Sequence, residues 1–260
     1  LLMSNFDRNA PVWGAGRAQQ TSAVEMDQGL RSFMLGVYNN MTIGLAITGL
    51  AAIGISMLAI AGVSPTGKVT ALTPLGQALY LSPLKWVVML APLAFILFFS
   101  FKAESMSSTA ARTMFFAFAA VMGVSIASIF VVFTGESITK VFFITAAAFG
   151  ALSLAGYTTK KSLSGMGSFL IMGLIGLVIA SVVNLFLASS ALSFAISAIG
   201  VLVFAGLTAW DTQRLKEMYL YSDLDAESAA KLSVNGALSL YLNFINMFQM
   251  LLSLFGTKSE

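Results

Sequence analysis

Seven long apolar stretches, largely free of charged side chains, dominate this sequence. A run of about 20 apolar residues is long enough to cross the roughly 30 Å hydrocarbon core of a bilayer as a helix. Charged residues make up only 10% of the chain and hydrophobic residues 58%, whereas about 25% of the residues of soluble domains are charged. The sequence therefore predicts an all-α, multi-pass membrane protein with seven transmembrane helices.

The predicted spans follow these apolar runs. They cover residues 33–61, 86–101, 113–133, 141–157, 167–188, 191–210 and 232–255. Pro92 is expected to kink the second span. Almost nothing separates the fifth span from the sixth, so these two are expected to form an antiparallel hairpin. Residues 62–83 contain several Pro and Gly and are expected to form a loop.

The polar segment 1–30 is interpreted as a cytoplasmic N-terminal tail, disordered or lying on the membrane surface. Residues 31–257 then form a single seven-helix transmembrane domain. Basic residues predict the orientation, because cytoplasmic loops carry an excess of Lys and Arg. Of the 14 Lys and Arg, ten fall in the tail and in the loops on its side, and four on the other. This distribution predicts a cytoplasmic N-terminus.

The chain contains neither cysteine nor histidine. Disulfides, thiolate and imidazole metal sites, and Ser–His or Cys–His catalysis are therefore excluded. The sequence also lacks the second membrane acid that an aspartyl intramembrane protease needs, and the mid-span lysine of a retinal pump. We expect no enzymatic activity, no cofactor and no nucleic-acid partner.

One carboxylate, Asp211, borders an apolar stretch, at the end of the sixth span. A charge at the edge of hydrocarbon is costly unless something compensates it, and it marks a functional site by default. Asp211 is thus a candidate gating residue or a weak calcium ligand. The other interpretation is a solvated helix end that pairs locally with Arg214. The acids Asp223, Asp225 and Glu227 are interpreted as a solvated loop face, with a loose cation site as the other interpretation.

The seventh span carries polar residues at helical spacing, namely Asn235, Ser239, Asn243 and Asn246. At about 100° per residue, these four fall within one face about 80° wide. Such a face does not point at lipid cheaply, so the seventh span is predicted to lie at the centre of the bundle. The face either makes hydrogen bonds between helices or lines a pore or ion site.

Two motifs resemble signatures of the Bax inhibitor-1 family. They are Ala209-Trp210-Asp211-Thr212-Gln213, at the end of span six, and the segment 237–248 in span seven. The resemblance implies two three-helix layers around a central seventh helix. It also implies a pH-sensitive calcium leak channel of the bacterial inner membrane. In such a channel an aspartate at the position of Asp211 shares a proton with an aspartate of the seventh helix.

This sequence has Asn243 where the second aspartate is expected. An Asp–Asn pair keeps a hydrogen bond but lacks the shared proton that couples two carboxylates. Calcium prefers about six to eight oxygen ligands, usually with more than one carboxylate. A site built from Asp211, the Asn243 amide oxygen, backbone carbonyls and water is therefore expected to be weak. We expect a leak whose pH dependence is reduced.

The resemblance implies two further features. A basic residue near the cytoplasmic end of the second helix latches the aspartate in the family, and Lys102 is the nearest match, with Arg112 as the alternative. Some bacterial relatives regulate the membrane quality-control protease FtsH, and the polar tail would then serve as the docking segment. The expected partners are the lipid bilayer, calcium ions and, in the alternative function, an FtsH-type protease.

Overall fold

The computed structural model describes residues 13–64, 69–102 and 105–259, with side chains from residue 26 onward. Nearly all of this chain is helical. In chain order the elements are α1 (Trp13–Ala59), β1 (Ile60–Val63), β2 (Val69–Leu72), α2 (Pro74–Tyr80), α3 (Leu84–Lys102), α4 (Ser108–Ile126), α5 (Ile129–Val132), α6 (Gly135–Thr158), α7 (Ser164–Leu187), α8 (Ser190–Tyr221) and α9 (Ala226–Phe255).

Seven helical segments of the described chain are long and apolar enough to cross a membrane. They lie in α1, α3, α4 with α5, α6, α7, α8 and α9. The predicted all-α membrane protein with seven spans is confirmed. Each of these segments begins before the predicted border of its span, because an apolar run marks only what lies in hydrocarbon, whereas a helix can start in the polar sequence that precedes it.

Two polar caps show why α6 and α9 begin earlier than predicted. The side chain of Thr134 accepts a hydrogen bond from the backbone N–H of Ser137 at the start of α6 (3.3 Å). Asp225 accepts one from the N–H of Ser228 at the start of α9 (2.7 Å). Hydrogen bonding to Ser228 holds the pKa of the Asp225 carboxyl below its usual value. Asp225 is therefore a helix cap, not simply a solvated loop residue.

The N-terminal segment differs from the prediction of a disordered or surface-lying tail. Helix α1 begins at Trp13, so residues 13–30 continue the first span as a helix. The residues before Trp13, which belong to the same predicted tail, lie outside the described residues. Leu30 is buried, and the ring of Phe33 stacks on that of Tyr219 with centroids 4.7 Å apart. The N-terminal part of α1 therefore packs on the extended end of α8.

The predicted loop 62–83 is wrong in part. Strands β1 and β2 pair in antiparallel fashion, and α2 follows directly. Thr73 caps α2 by accepting a hydrogen bond from the N–H of Gly76 (3.1 Å). Its hydroxyl also donates to the carbonyl of Leu58 (2.7 Å). The loop folds back onto the end of α1, and Thr-Pro at positions 73 and 74 is the helix-start signal that reveals it.

Helices α7 and α8 form the predicted antiparallel hairpin. Gly167 near the start of α7 lies against Trp210 late in α8, and Gly173 lies against Val203. At the other end, the Asn184 amide donates to Ser193 (2.7 Å) and its oxygen accepts from the N–H of Ser189 (3.0 Å). The prediction of this hairpin is confirmed.

Helix α9 is the most deeply buried span. It packs against α1, α4, α6 and α8, whereas α3 packs on α4 and α7 packs on α8. The hydroxyl of Tyr241 lies 2.6 Å from that of Thr48, whose hydrogen is directed at the carbonyl of Ala119 (2.8 Å). Tyr241 is therefore the donor and links α9 to α1 and α4. The arrangement of the outer helices as two layers of three remains a prediction.

Candidate functional site

The carboxylate of Asp211 lies inside the helix bundle. Helix α8 does not end there but continues to Tyr221. Asp211 is 7% exposed and is the only charged residue in the described part of the chain whose side chain is buried. Arg214 lies instead over the ring of Trp210, 5.3 Å from its centroid. The interpretation of Asp211 as a solvated helix end is therefore wrong.

Two side chains of α9 solvate this carboxylate. The hydroxyl of Ser239 and the amide of Asn243 both donate to Oδ2 of Asp211, each at 2.7 Å. Ser239 and Asn243 lie one turn apart on α9, so both reach the same oxygen. Hydrogen bonds to an ionised acceptor are about twice as strong as those between neutral groups. We call this group of Asp211, Ser239 and Asn243 the polar clasp.

The residues that flank Asp211 fix α8 to other parts of the bundle. The ring of Trp210 covers Gly167 of α7 so closely that a methyl group there would overlap the indole. The amide of Gln213 accepts from the N–H of Leu163 (2.7 Å) and donates to the carbonyl of Lys161 (2.9 Å). Successive residues of a helix point about 100° apart, so a short motif reaches several neighbours.

Thr212 completes this set through a chain of hydroxyl groups. Its hydroxyl donates to the carbonyl of Thr208 (2.8 Å) and lies 2.9 Å from the hydroxyl of Ser153 on α6. Because the hydrogen of Thr212 is already committed, Ser153 is the donor to it. Ser153 lies in turn 2.6 Å from the hydroxyl of Tyr38 on α1. The motif around Asp211 thus joins α8 to α1, α6, α7 and α9.

The predicted polar face of the seventh span divides into separate environments. Ser239 and Asn243 belong to the polar clasp, whereas Asn235 is exposed. Asn246 donates to the carbonyl of Leu242 on its own helix (2.8 Å) and lines a cavity between α3, α4 and α9. Asn246 is offset by about 60° from Asn243 around the helix. A single continuous lining of a pore by all four residues is not what the structure shows.

The predicted basic latch is not formed. Lys102 and Arg112 are both exposed, and among the described residues neither makes an ion pair with Asp211. Lys216 of α8 donates to the carbonyl of Tyr157 instead (2.7 Å). Another acid does join two helices, because Glu227 at the start of α9 accepts from the hydroxyl of Ser108 at the start of α4 (2.8 Å). Sequence reasoning missed this contact.

The surroundings of Asp211 offer donors rather than further carboxylates. Within the described residues, no three acidic, His or Cys side chains lie together as a metal site would require. Calcium takes about six to eight oxygen ligands, and the polar clasp presents the N–H side of Asn243 to Asp211. In this arrangement the site is a hydrogen-bonded contact between α8 and α9.

Comparison with known proteins confirms the resemblance seen in the two motifs. The model of the family described as "Inhibitor of apoptosis-promoting Bax1" matches residues 30–260. A protein of Caulobacter vibrioides is 44% identical over 99% of this chain and 100% of its own length. The inner membrane protein YbhL of Escherichia coli K12 is 41% identical over 91% of this chain and 96% of its own length.

The polar clasp predicts energetic coupling between its members. In a double-mutant cycle with Asp211→Ala and Asn243→Ala, we expect a coupling energy of about 1 kcal/mol. Either substitution alone removes the charge-assisted hydrogen bond between α8 and α9, so the second substitution cannot remove it again. Thermal unfolding of the purified protein in detergent measures it. Asn235→Ala, on the same helix but exposed, is the matched control and should be additive with Asp211→Ala. Additivity between Asp211 and Asn243 would contradict the coupling.

Proposed function

We propose that this chain, which belongs to the Bax inhibitor-1 family, is a calcium leak channel of the bacterial inner membrane whose closed state is held by the polar clasp. The observation that carries the proposal is the burial of Asp211 between α8 and α9, with its carboxylate bound to Ser239 and Asn243. An ionisable residue in a membrane bundle is conspicuous because apolar packing would stabilise the helices at lower cost.

The polar clasp suits a gate because it is both strong and separable. Two hydrogen bonds to one oxygen hold α8 and α9 together, and rotation of the Ser239 and Asn243 side chains releases them without breaking either helix. Once released, Asp211 and the Asn243 amide oxygen are hard oxygen ligands of the kind calcium prefers. A lone carboxylate binds calcium weakly, and weak binding favours permeation over retention.

Asn243 bears on the pH modulation of such a gate. An amide donates to a carboxylate without a shared proton, so the polar clasp closes over Asp211 while the carboxylate is charged. Two carboxylates in the same place would need one proton to remain in contact. We therefore propose a leak that depends less on pH than that of a channel with an aspartate pair.

The proposed setting is the inner membrane with a cytoplasmic N-terminus. Support comes from the inner-membrane relative in Escherichia coli and from the excess of Lys and Arg on one side. The natural absence of cysteine makes the orientation measurable. A single cysteine at Asp223, in the segment between α8 and α9, should react with an impermeant thiol reagent only from the cytoplasmic side. Labelling of intact spheroplasts from outside would show the opposite orientation.

A second candidate function is the regulation of an FtsH-type membrane protease. The observation that favours it is the helical extension of α1 from Trp13, which precedes the contact of Phe33 with Tyr219 of α8 and would offer a docking segment. The two functions differ in a simple respect, since an interaction protein conducts nothing when reconstituted alone in liposomes. We propose no enzymatic activity and no cofactor in either case.

Removal of the charge at Asp211 tests the gate. We expect Asp211→Asn to raise calcium flux through liposomes roughly fivefold, because a neutral acceptor holds Ser239 and Asn243 less strongly by about 1 kcal/mol. Asn235→Ala is the control and should leak at the wild-type rate. A fall in flux would show that the charge serves the permeant ion rather than closure. Flux equal to the wild type in a folded Asp211→Asn protein would remove Asp211 from the mechanism.

Restoration of the second carboxylate tests the role of Asn243. We expect Asn243→Asp to give a steeper pH dependence of calcium flux between about pH 5 and 8, because two adjacent carboxylates share a proton at a raised apparent pKa. The matched control is Asn235→Asp, which adds an acid to the same helix at an exposed position. Superimposable pH profiles for the wild type and Asn243→Asp would contradict the proposal.

A further inference from the structure

A groove runs along α3 and away from the polar clasp. Two cavities of about 420 Å³ and 430 Å³ lie end to end on the same side of the bundle. Both are lined by Met89, Ser125 and Ser128, so they form one continuous groove between α3 and the α4–α5 segment. We call it the α3 groove. Its walls are mainly apolar, with Leu93, Ile96, Phe118 and Met122 along its inner half, where Asn246 and Gln249 of α9 are the polar exceptions.

The mouth of the α3 groove contains an unpartnered hydroxyl group. The hydroxyl of Tyr80 is buried there and has no hydrogen-bond partner among the described residues. Burial raises the pKa of Tyr80, so its hydroxyl stays protonated and able to donate. A buried donor without a partner is costly, so an outside acceptor would stabilise this end of the groove.

The mouth is also positively charged. Lys85 lines it, with its amine 5.6 Å from the centre of the Trp86 ring. No acidic residue lines either cavity. A lysine beside a tryptophan at the end of a membrane span is the arrangement found at the lipid head-group level. Charge and position together select an anionic group at this height.

The length of the α3 groove matches one leaflet. From Lys85 to Ile96 the helix rises about 17 Å, about half of a hydrocarbon core roughly 30 Å thick. The mouth, with Tyr80 and Lys85, lies next to the β-hairpin and α2, and the groove continues toward the middle of α3 between mainly apolar walls. A cation at the mouth and mainly apolar walls of leaflet depth beyond it complement the two parts of a phospholipid, namely its anionic head group and its acyl chain.

We propose that the α3 groove binds one anionic phospholipid, with its phosphate at Lys85 and Tyr80 and an acyl chain along the shared wall at Met89 and Ser125. The phosphate oxygens accept from the Tyr80 hydroxyl and the Lys85 amine, which gives both donors a charged partner. The inference rests on the membrane setting of the chain and not on the proposed leak, and it is tested by binding rather than by flux.

The experiment uses the purified full chain in detergent, titrated with phosphatidylglycerol or with phosphatidylcholine while thermal unfolding is followed. We expect phosphatidylglycerol to bind more tightly. Lys85→Gln and Tyr80→Phe should each weaken its binding about tenfold, because each removes one hydrogen bond to a charged phosphate. Phosphatidylcholine carries the same phosphate but no net charge, so Tyr80→Phe should weaken the binding of both lipids. Lys85→Gln should weaken phosphatidylglycerol more than phosphatidylcholine and narrow the difference between their affinities. Ser125→Phe fills the shared wall and should weaken the binding of both lipids.

The matched control is Lys140→Gln, which removes a lysine near the start of α6 that lines neither cavity. It should bind phosphatidylglycerol like the wild type. Equal affinity of the wild type for the two lipids would overturn the proposal, as would an equal loss in Lys140→Gln and Lys85→Gln. Full stabilisation by inorganic phosphate alone would also overturn it, since the site would then recognise a free anion.

Discussion

A carboxylate inside a bundle of membrane helices has to be solvated by the protein, and in this chain α9 does so. Asp211 on α8 accepts from Ser239 and Asn243, and neither donor can be supplied by lipid. The requirement fixes the facing sides of α8 and α9 to each other. Once these two helices are in register, the remaining spans pack around them, because α9 contacts α1, α4 and α6 as well.

Helix α8 is held on its other sides by close packing. Gly156 of α6 lies so near the backbone of Ala209 that an added methyl group would overlap the carbonyl oxygen. Gly236 of α9 accommodates the side chain of Leu215 in a similar way. Small residues allow such approach, which dispersion forces and lipid entropy favour where the hydrophobic effect is absent. The segment around Asp211 is therefore closely packed against both α6 and α9.

Structural features that are marked by long apolar runs could be predicted from the sequence, whereas those marked only by short local signals were missed. Spans and the α7–α8 hairpin follow from apolar run length, and the family follows from the motif at Asp211. The helical extension of α1 and the short elements β1, β2 and α2 were missed because hydropathy ignores polar helices and short strands. Caps such as Thr73 and Asp225 carry that information locally. Periodicity placed Ser239 and Asn243 together correctly, but it could not separate them from Asn235 and Asn246.

The separation of the polar face has a physical reason that spacing alone does not contain. A helical face about 80° wide is wide enough to meet more than one neighbour when the helix is central. Asn243 meets α8, whereas Asn246, about 60° away, lies at the cavity shared with α3 and α4. Which neighbour each amide meets is set by the tertiary packing of α9. The charge of Asp211 determines that Ser239 and Asn243 form the polar clasp. The carboxylate on α8 is a strong enough acceptor to bind both donors at once.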